Sequence, residues 1–84
     1  MSYEKVAQVR SRIIIGTKQT LRAMKNRQVS QVYIARDADI KLTQQVRDLA
    51  NELHIPLQYV DSLRKLGQAC GIEVKTSAVA IKQE

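Results

Sequence analysis

Hydrophobic and polar positions along these 84 residues alternate between two periods. Ile13-Ile14-Ile15 is an unbroken β-branched run, the length of a short buried strand. Val32-Tyr33-Ile34-Ala35, within Val29–Ala35, is apolar enough to be a strand covered on both faces. Leu57–Val60 reads as a third strand and Ala78-Val79-Ala80-Ile81 as a fourth. Between them the spacing changes to threes and fours. Tyr3, Val6, Ala7 and Arg10 predict a helix over residues 3–11, with Ser2 placed to cap it. Over residues 17–26, Leu21 and Met24 face inward, while Lys18, Arg22 and Lys25 form a row at i, i+4 and i+7. Asn26 or Arg27 ends that helix. The strongest period is at residues 42–53, with Leu42, Val46, Leu49, Ala50 and Leu53 on one stripe. His54-Ile55-Pro56 stops it, because the ring of Pro56 disfavours helix at Ile55. Ser62 caps a fourth helix over residues 63–70, with Leu63, Leu66 and Cys70 inward and Gly71 beyond its end. Residues 72–77 form the loop to the last strand.

Strands alternating with helices at this spacing predict βαβ units and an α/β fold. The expected architecture is a single-domain three-layer α/β/α sandwich over residues 1–84, with a four-stranded mixed sheet. In such sheets ligands sit where a strand gives way to a helix N-terminus. Gly16 and the residues after it form such a place. Gly16 or Thr17 serves as N-cap, the amides that follow are left for an anion or a base edge, and Lys18, Gln19 and Arg22 project from the same turn.

Charge sharpens this picture. The net charge is +6, and it is unevenly distributed. From Lys5 to Arg36 there are eight basic residues (Lys5, Arg10, Arg12, Lys18, Arg22, Lys25, Arg27 and Arg36) and no acidic one. The other residues carry six basic against eight acidic side chains. A segregated basic face is the footprint of a polyanion binder, whereas a merely solvated surface mixes its signs. No apolar run is long enough to cross a bilayer, and Met1-Ser2-Tyr3-Glu4-Lys5 lacks the apolar core of a secretory signal. A lone Cys70 cannot form an internal disulfide and fits a reducing, cytoplasmic setting.

Nothing here resembles an active site. Asp37 and Asp39 could be read as a carboxylate pair, but a turn before a helix explains them better. One histidine and one cysteine make no metal site by spacing. His54 reads as a helix-end or surface residue, Ser62 as a cap, and Cys70 as a buried, inert thiol. Gly67 inside a helix implies close packing against the sheet. No phosphate-binding glycine loop is present. We therefore expect no enzyme activity, no cofactor, no metal, no small-molecule substrate and no membrane.

The kind of polyanion follows from what is missing. Three tyrosines with no Trp or Phe offer little for base stacking, and Tyr33 and Tyr59, lying in strands, are expected in the core. Strands between the helices also disfavour a helix-turn-helix. A rigid helix start with lysine, glutamine and arginine suits a structured RNA with an opened groove, since these side chains can reach guanine O6 and N7 or a base edge.

Five stretches in order carry a resemblance: Gly16-Thr17-Lys18-Gln19-Thr20-Leu21-Arg22, Val32-Tyr33-Ile34-Ala35-Arg36-Asp37-Ala38-Asp39, Ile55-Pro56-Leu57, Leu66-Gly67-Gln68-Ala69-Cys70-Gly71 and Ala78-Val79-Ala80-Ile81. Together the chain resembles the kink-turn-binding ribosomal-protein family (large-subunit seven-A and thirty-e type), in its small bacterial YbxF-like branch. The resemblance implies an α/β/α sandwich that recognises tandem sheared G·A pairs in a kinked RNA duplex. The usual family motif is glycine, any residue, asparagine, glutamate, two residues and lysine. Gly16 matches the glycine, while Lys18, Gln19 and Arg22 stand where asparagine, glutamate and lysine are usual. The family's second contact element, the loop after the fourth helix, corresponds to Ile72, Glu73, Val74 and Lys75, whose apolar members would pack against the flipped-out nucleotide region. Asp39 stands where some members place an acidic contact.

The expected function is thus RNA binding that stabilises a kinked RNA, in the ribosome or in a regulatory transcript, by a monomer. Two alternatives are a ribosomal subunit gripping rRNA without kink-turn specificity and a small module for an acidic protein partner. An RNA-processing enzyme is a remote third, which no residue cluster supports.

Overall fold

The computed structural model of the chain describes residues 2–73 and 75–83, and within the first helix the side chains of Tyr3 and of Val6 onward. Four strands, β1 (Ile13–Ile15), β2 (Val29–Ala35), β3 (Leu57–Val60) and β4 (Ala78–Lys82), form one sheet in the order β1-β4-β2-β3. β4 runs antiparallel to both β1 and β2, whereas β2 and β3 are parallel. The register pairs Ile15 with Val79, Ile34 with Ala78 and Ala35 with Val60. Hence β1, β2 and β3 all end at the edge of the sheet where β4 begins.

Side chains on a strand alternate between faces, and each face here has a helix layer. Helices α1 (Ser2–Gln8) and α4 (Leu63–Ala69) cover Tyr33, Ala35, Val60, Val79 and Ile81 with Val6, Leu66 and Cys70. Helices α2 (Thr17–Lys25) and α3 (Ile40–Leu53) cover Val32, Ile34, Ala78 and Ala80 with Ala23, Met24, Val46 and Ala50. This is the expected three-layer α/β/α sandwich. Residues 32–35 are buried without interruption because β2 is central and covered on both sides. Each fully buried Leu, Ile or Met contributes roughly 1.5–3 kcal/mol.

Several expectations need correction. The first helix stops at Gln8, not residue 11, and Ser2 is its first residue rather than a cap before it. Val9 leaves helical geometry, and a 3₁₀ turn at Arg10–Arg12 swings the chain into β1. The turn also aims Arg10 at the far end of α4. Its Nε donates to the carbonyl of Ala69 at 2.9 Å and its guanidinium reaches that of Gln68 at 3.5 Å. A cation among the last carbonyls of a helix is well placed against the helix dipole. Arg10 therefore belongs to the α1/α4 layer and not to one continuous basic face.

On α3 the buried residues are Thr43, Val46 and Ala50, with Leu49 and Leu53 half-buried. Leu42, expected inward, is 52% exposed, because at the start of α3 it is Thr43 that turns toward the sheet. Tyr59, expected in the core, is 38% exposed. It lies on β3, an edge strand, and the Arg36 guanidinium sits over its ring at 5.1 Å from the centroid. Tyr3 anchors α1 to the β3–α4 turn: its hydroxyl donates to the Asp61 carboxylate and accepts from the Ser62 amide at 3.0 Å.

Three helices end alike. Arg27, His54 and Gly71 have φ of 57°, 58° and 82°. In each case the next amide returns to the helix: Gln28 to Ala23 at 3.1 Å, Ile55 to Ala50 at 2.9 Å and Ile72 to Gly67 at 3.1 Å. These are Schellman ends, in which glycine is the residue without strain. Only Gly71 was legible as such. His54 is exposed and αL, so His54→Gly is expected to raise stability by about 1 kcal/mol, read from the urea midpoint at unchanged slope.

Thr20, in the first half of α2, is wholly buried, and its Oγ1 has no hydrogen-bond partner among the described residues. A buried hydroxyl without a partner costs about 1–3 kcal/mol. Thr20→Val keeps the shape and is expected to raise the thermal midpoint; a lower midpoint would mean that the hydroxyl has a partner in solution.

Candidate nucleic-acid interface

β1 delivers Gly16 to the common end of the sheet, where its amide donates to the carbonyl of Ala78 at 3.0 Å. Gly16 has φ 99° and ψ 150°, a region open essentially to glycine alone. A Cβ built there would meet nothing within 4 Å. The requirement for glycine is therefore conformational, and the space above the turn is open.

Gly16 is the N-cap of α2 and offers no capping side chain, while its carbonyl accepts from Thr20 at 2.9 Å. Thr17 is the first helical residue, not the cap. The amides of Thr17, Lys18 and Gln19 find no acceptor among the described residues. No acidic side chain lies in this first turn. The helix dipole places roughly half a positive charge here, and Lys18, Arg22 and Lys25 add exposed cations along the same helix.

Two shallow concavities flank that helix. One, of about 270 Å³, is lined by Lys18, Gln19, Leu21, Arg22 and Lys25. The other, of about 250 Å³, is lined by Ile14, Gln19, Arg22, Asn26, Gln28 and Lys82, among others. Gln19 and Arg22 belong to both and so stand on the ridge between them. Lys82, Asn26 and Gln28 had no signal in the sequence, since the place of β4 between β1 and β2, with Lys82 opposite Val29, is what brings Lys82 near α2. Arg27, at the far end of α2, lies beyond the helix in its left-handed turn.

The second expected element joins this turn indirectly. Ile72 is half-buried against the α1/α4 cluster, and its amide closes the end of α4. Glu73 and Lys75 are exposed, and Val74 lies outside the described residues. The chain then runs into Thr76, whose amide donates to Leu63 O at 3.3 Å and whose hydroxyl donates to Ala78 O at 3.1 Å. The carbonyls of Ser77 and Ala78 in turn accept from Ala35 and Gly16, each at 3.0 Å. The loop therefore ends directly beside the Gly16 turn, while its start at Ile72 is held in the other layer.

The carboxylate pair is divided between two helix starts. Asp39 Oδ1 accepts from the amide of Lys41 at 2.9 Å and caps α3. Asp37 Oδ1 accepts from the amide of Leu63 at 2.8 Å, at the start of α4. Asp39 follows β2, so it shares the sheet end with Gly16, with β4 between their strands. Burial pushes the Cys70 thiol up to about 11, which leaves it protonated and unreactive at neutral pH. Among the described residues no group of three or more His, Cys, Asp or Glu could hold a metal ion, and no helix is long and apolar enough to cross a membrane.

Known proteins are similar to this chain in sequence or in fold. A protein named "RNA-binding protein" from Bacillus pumilus is 54% identical over 81 residues, covering 96% of this chain and 98% of that one. "RNA-binding protein YbxF" from Geobacillus stearothermophilus is 51% identical over the same length and coverage. Among solved structures, the "Giardia lamblia 15.5kD RNA binding protein" superposes with a TM-score of 0.92 at 25% identity, covering 98% of this chain and 71% of that chain. The model of the ribosomal protein L7Ae/L30e/S12e/Gadd45 family matches residues 1–84, and the chain belongs to that family.

Proposed function

We propose that this chain is an RNA-binding protein that recognises kink-turn RNA through the Gly16 turn and the loop that ends beside it. The observation that carries the reading is the turn itself: a glycine-capped helix start with unengaged amides, ringed by Lys18, Gln19 and Arg22 and free of carboxylates. The names of its relatives support the polyanion being RNA. Gln19 offers an amide oxygen to guanine N–H groups and an amide nitrogen to a base acceptor. Lys18 and Arg22 donate to guanine O6 and N7 or to phosphate. Glu73, Val74 and Lys75 would meet the RNA from the loop, and Asp39 would act there by holding the start of α3. Because the rigid turn fits the kinked duplex and not the extended one, binding shifts the RNA toward the kink by mass action. The chain would work as a monomer in the cytoplasm, on ribosomal or regulatory RNA, with no catalysis and no cofactor.

A second reading is rRNA binding without kink-turn selectivity. It is favoured by one observation: neither Lys18 nor Gln19 supplies the charged acceptor that would roughly double the strength of a guanine contact. Gel-shift titration separates the two. Tight binding to a duplex with tandem sheared G·A pairs, and weak binding once these are Watson–Crick pairs, is expected; equal affinity would overturn kink-turn recognition. Gln19→Ala and Arg22→Ala are each expected to cost about 1–3 kcal/mol on the kinked duplex. Lys25 lies further along α2 and faces solvent. Lys25→Gln is expected to weaken all RNAs alike and to lower the slope of log affinity against log salt by about one.

A further inference from the structure

Beyond the last residue of β2 lies another concavity, of about 230 Å³, whose lining includes Arg36, Ile40, Gln44, Arg47 and Tyr59. None of these residues belongs to the Gly16 turn. Ile40 is 71% exposed and Tyr59 38%, so two large apolar side chains face solvent within one hollow. The guanidinium of Arg36 lies over the Tyr59 ring at 5.1 Å. Among the described residues Arg36 makes no ion pair, and Arg47 meets Asp48 at 3.3 Å on the exposed surface. The nearby carboxylates of Asp37 and Asp39 are turned to helix amides and not into the hollow. The groove is therefore aromatic, apolar and cationic together.

Its place matters as much as its chemistry. The Arg36 amide bonds to Val60 O at 2.7 Å, directly past the ends of β2 and β3. This is the sheet end that carries Gly16. Tyr59 pairs with Ile34, whose side chain faces the α2/α3 layer, so the groove and the α2 row share one side of the sheet. Three strand spacings of ~4.8 Å separate β1 from β3, or about 14 Å.

We propose that this groove holds an unpaired nucleotide flanking the duplex bound at the Gly16 turn. The proposal rests on the RNA reading and extends it. Bases stack on aromatic rings and on guanidinium planes whatever their identity, and arginines beside the platform meet the phosphates. A hollow of this size admits one flat base. Tyr59 with Arg36 forms the platform, Ile40 packs the base edge, and Arg47 faces the backbone.

The test uses the whole chain and two versions of one kink-turn duplex, blunt and with ~4 unpaired nucleotides on either end. The wild-type chain is expected to bind one flanked form about tenfold more tightly than the blunt form. Fluorescence of a 2-aminopurine placed in that flank is expected to be quenched on binding. Tyr59→Leu and Arg36→Ala are expected to abolish the gain while keeping affinity for the blunt duplex, and Tyr59→Phe to retain it. Equal affinity for flanked and blunt forms, or a gain that survives Tyr59→Leu and Arg36→Ala, would overturn the proposal, as would capture of an acidic protein by this groove with no effect of the flank. If the wild-type chain bound neither duplex, the kink-turn reading itself would fall and this extension with it, a result distinct from equal tight binding to both.

Discussion

β4 enters the sheet between β1 and β2 and runs against both of them. Every other arrangement of loops depends on that one insertion. With β4 reversed, the turn after β1, the turn after β2, the turn after β3 and the segment leading into β4 all meet at one end of the sheet. Two hydrogen bonds there, from Gly16 to Ala78 and from Ala35 to Ser77, tie the start of β4 to its neighbours on each side. The glycine turn is thus held by backbone ladder, the most rigid material a small domain has. A rigid site loses little conformational freedom on binding, and so more of its contact energy appears as affinity.

The basic residues are shared out by this frame. Five of the eight basic residues in what looked like one run of positive charge are divided among three duties. Arg10 closes the end of α4, Arg36 covers Tyr59, and Lys18, Arg22 and Lys25 remain on α2 beside the glycine turn. The acidic residues next to the site are likewise occupied, since Asp37 and Asp39 each satisfy the start of a helix. Positive potential at this end therefore comes from a few side chains plus the start of α2, while the carboxylates of Asp39 and Asp37 are turned to the amides of α3 and α4.

Most of the fold was legible because its signals are local. β-branched runs marked the strands, Pro56 marked the stop before β3, and Gly16 marked the start of α2. What failed depended on neighbours far along the chain. Leu42 fitted a helical stripe, yet in the first turn of α3 Thr43 takes the inward place while the rest of the stripe holds. Tyr59 sat in a strand, yet strand order made that strand an edge. The end of α1 was misplaced because the Arg10–Arg12 turn answers to α4, about sixty residues away. For the candidate site, Gly16, Lys18, Gln19 and Arg22 could be found from spacing, while Lys82 could not, since only the long-range pairing of β4 with its neighbours brings it close. The loop at Ile72–Lys75 came from resemblance alone, and Ile72 proves to face inward.

The order of the strands has one more consequence. The sheet's two open borders are β1 and β3, of three and four residues. A border that short presents few free amides and carbonyls, too few for a second sheet to dock in register. Blunt borders let copies of this chain come side by side without zipping into a common sheet, so that crowding need not become aggregation.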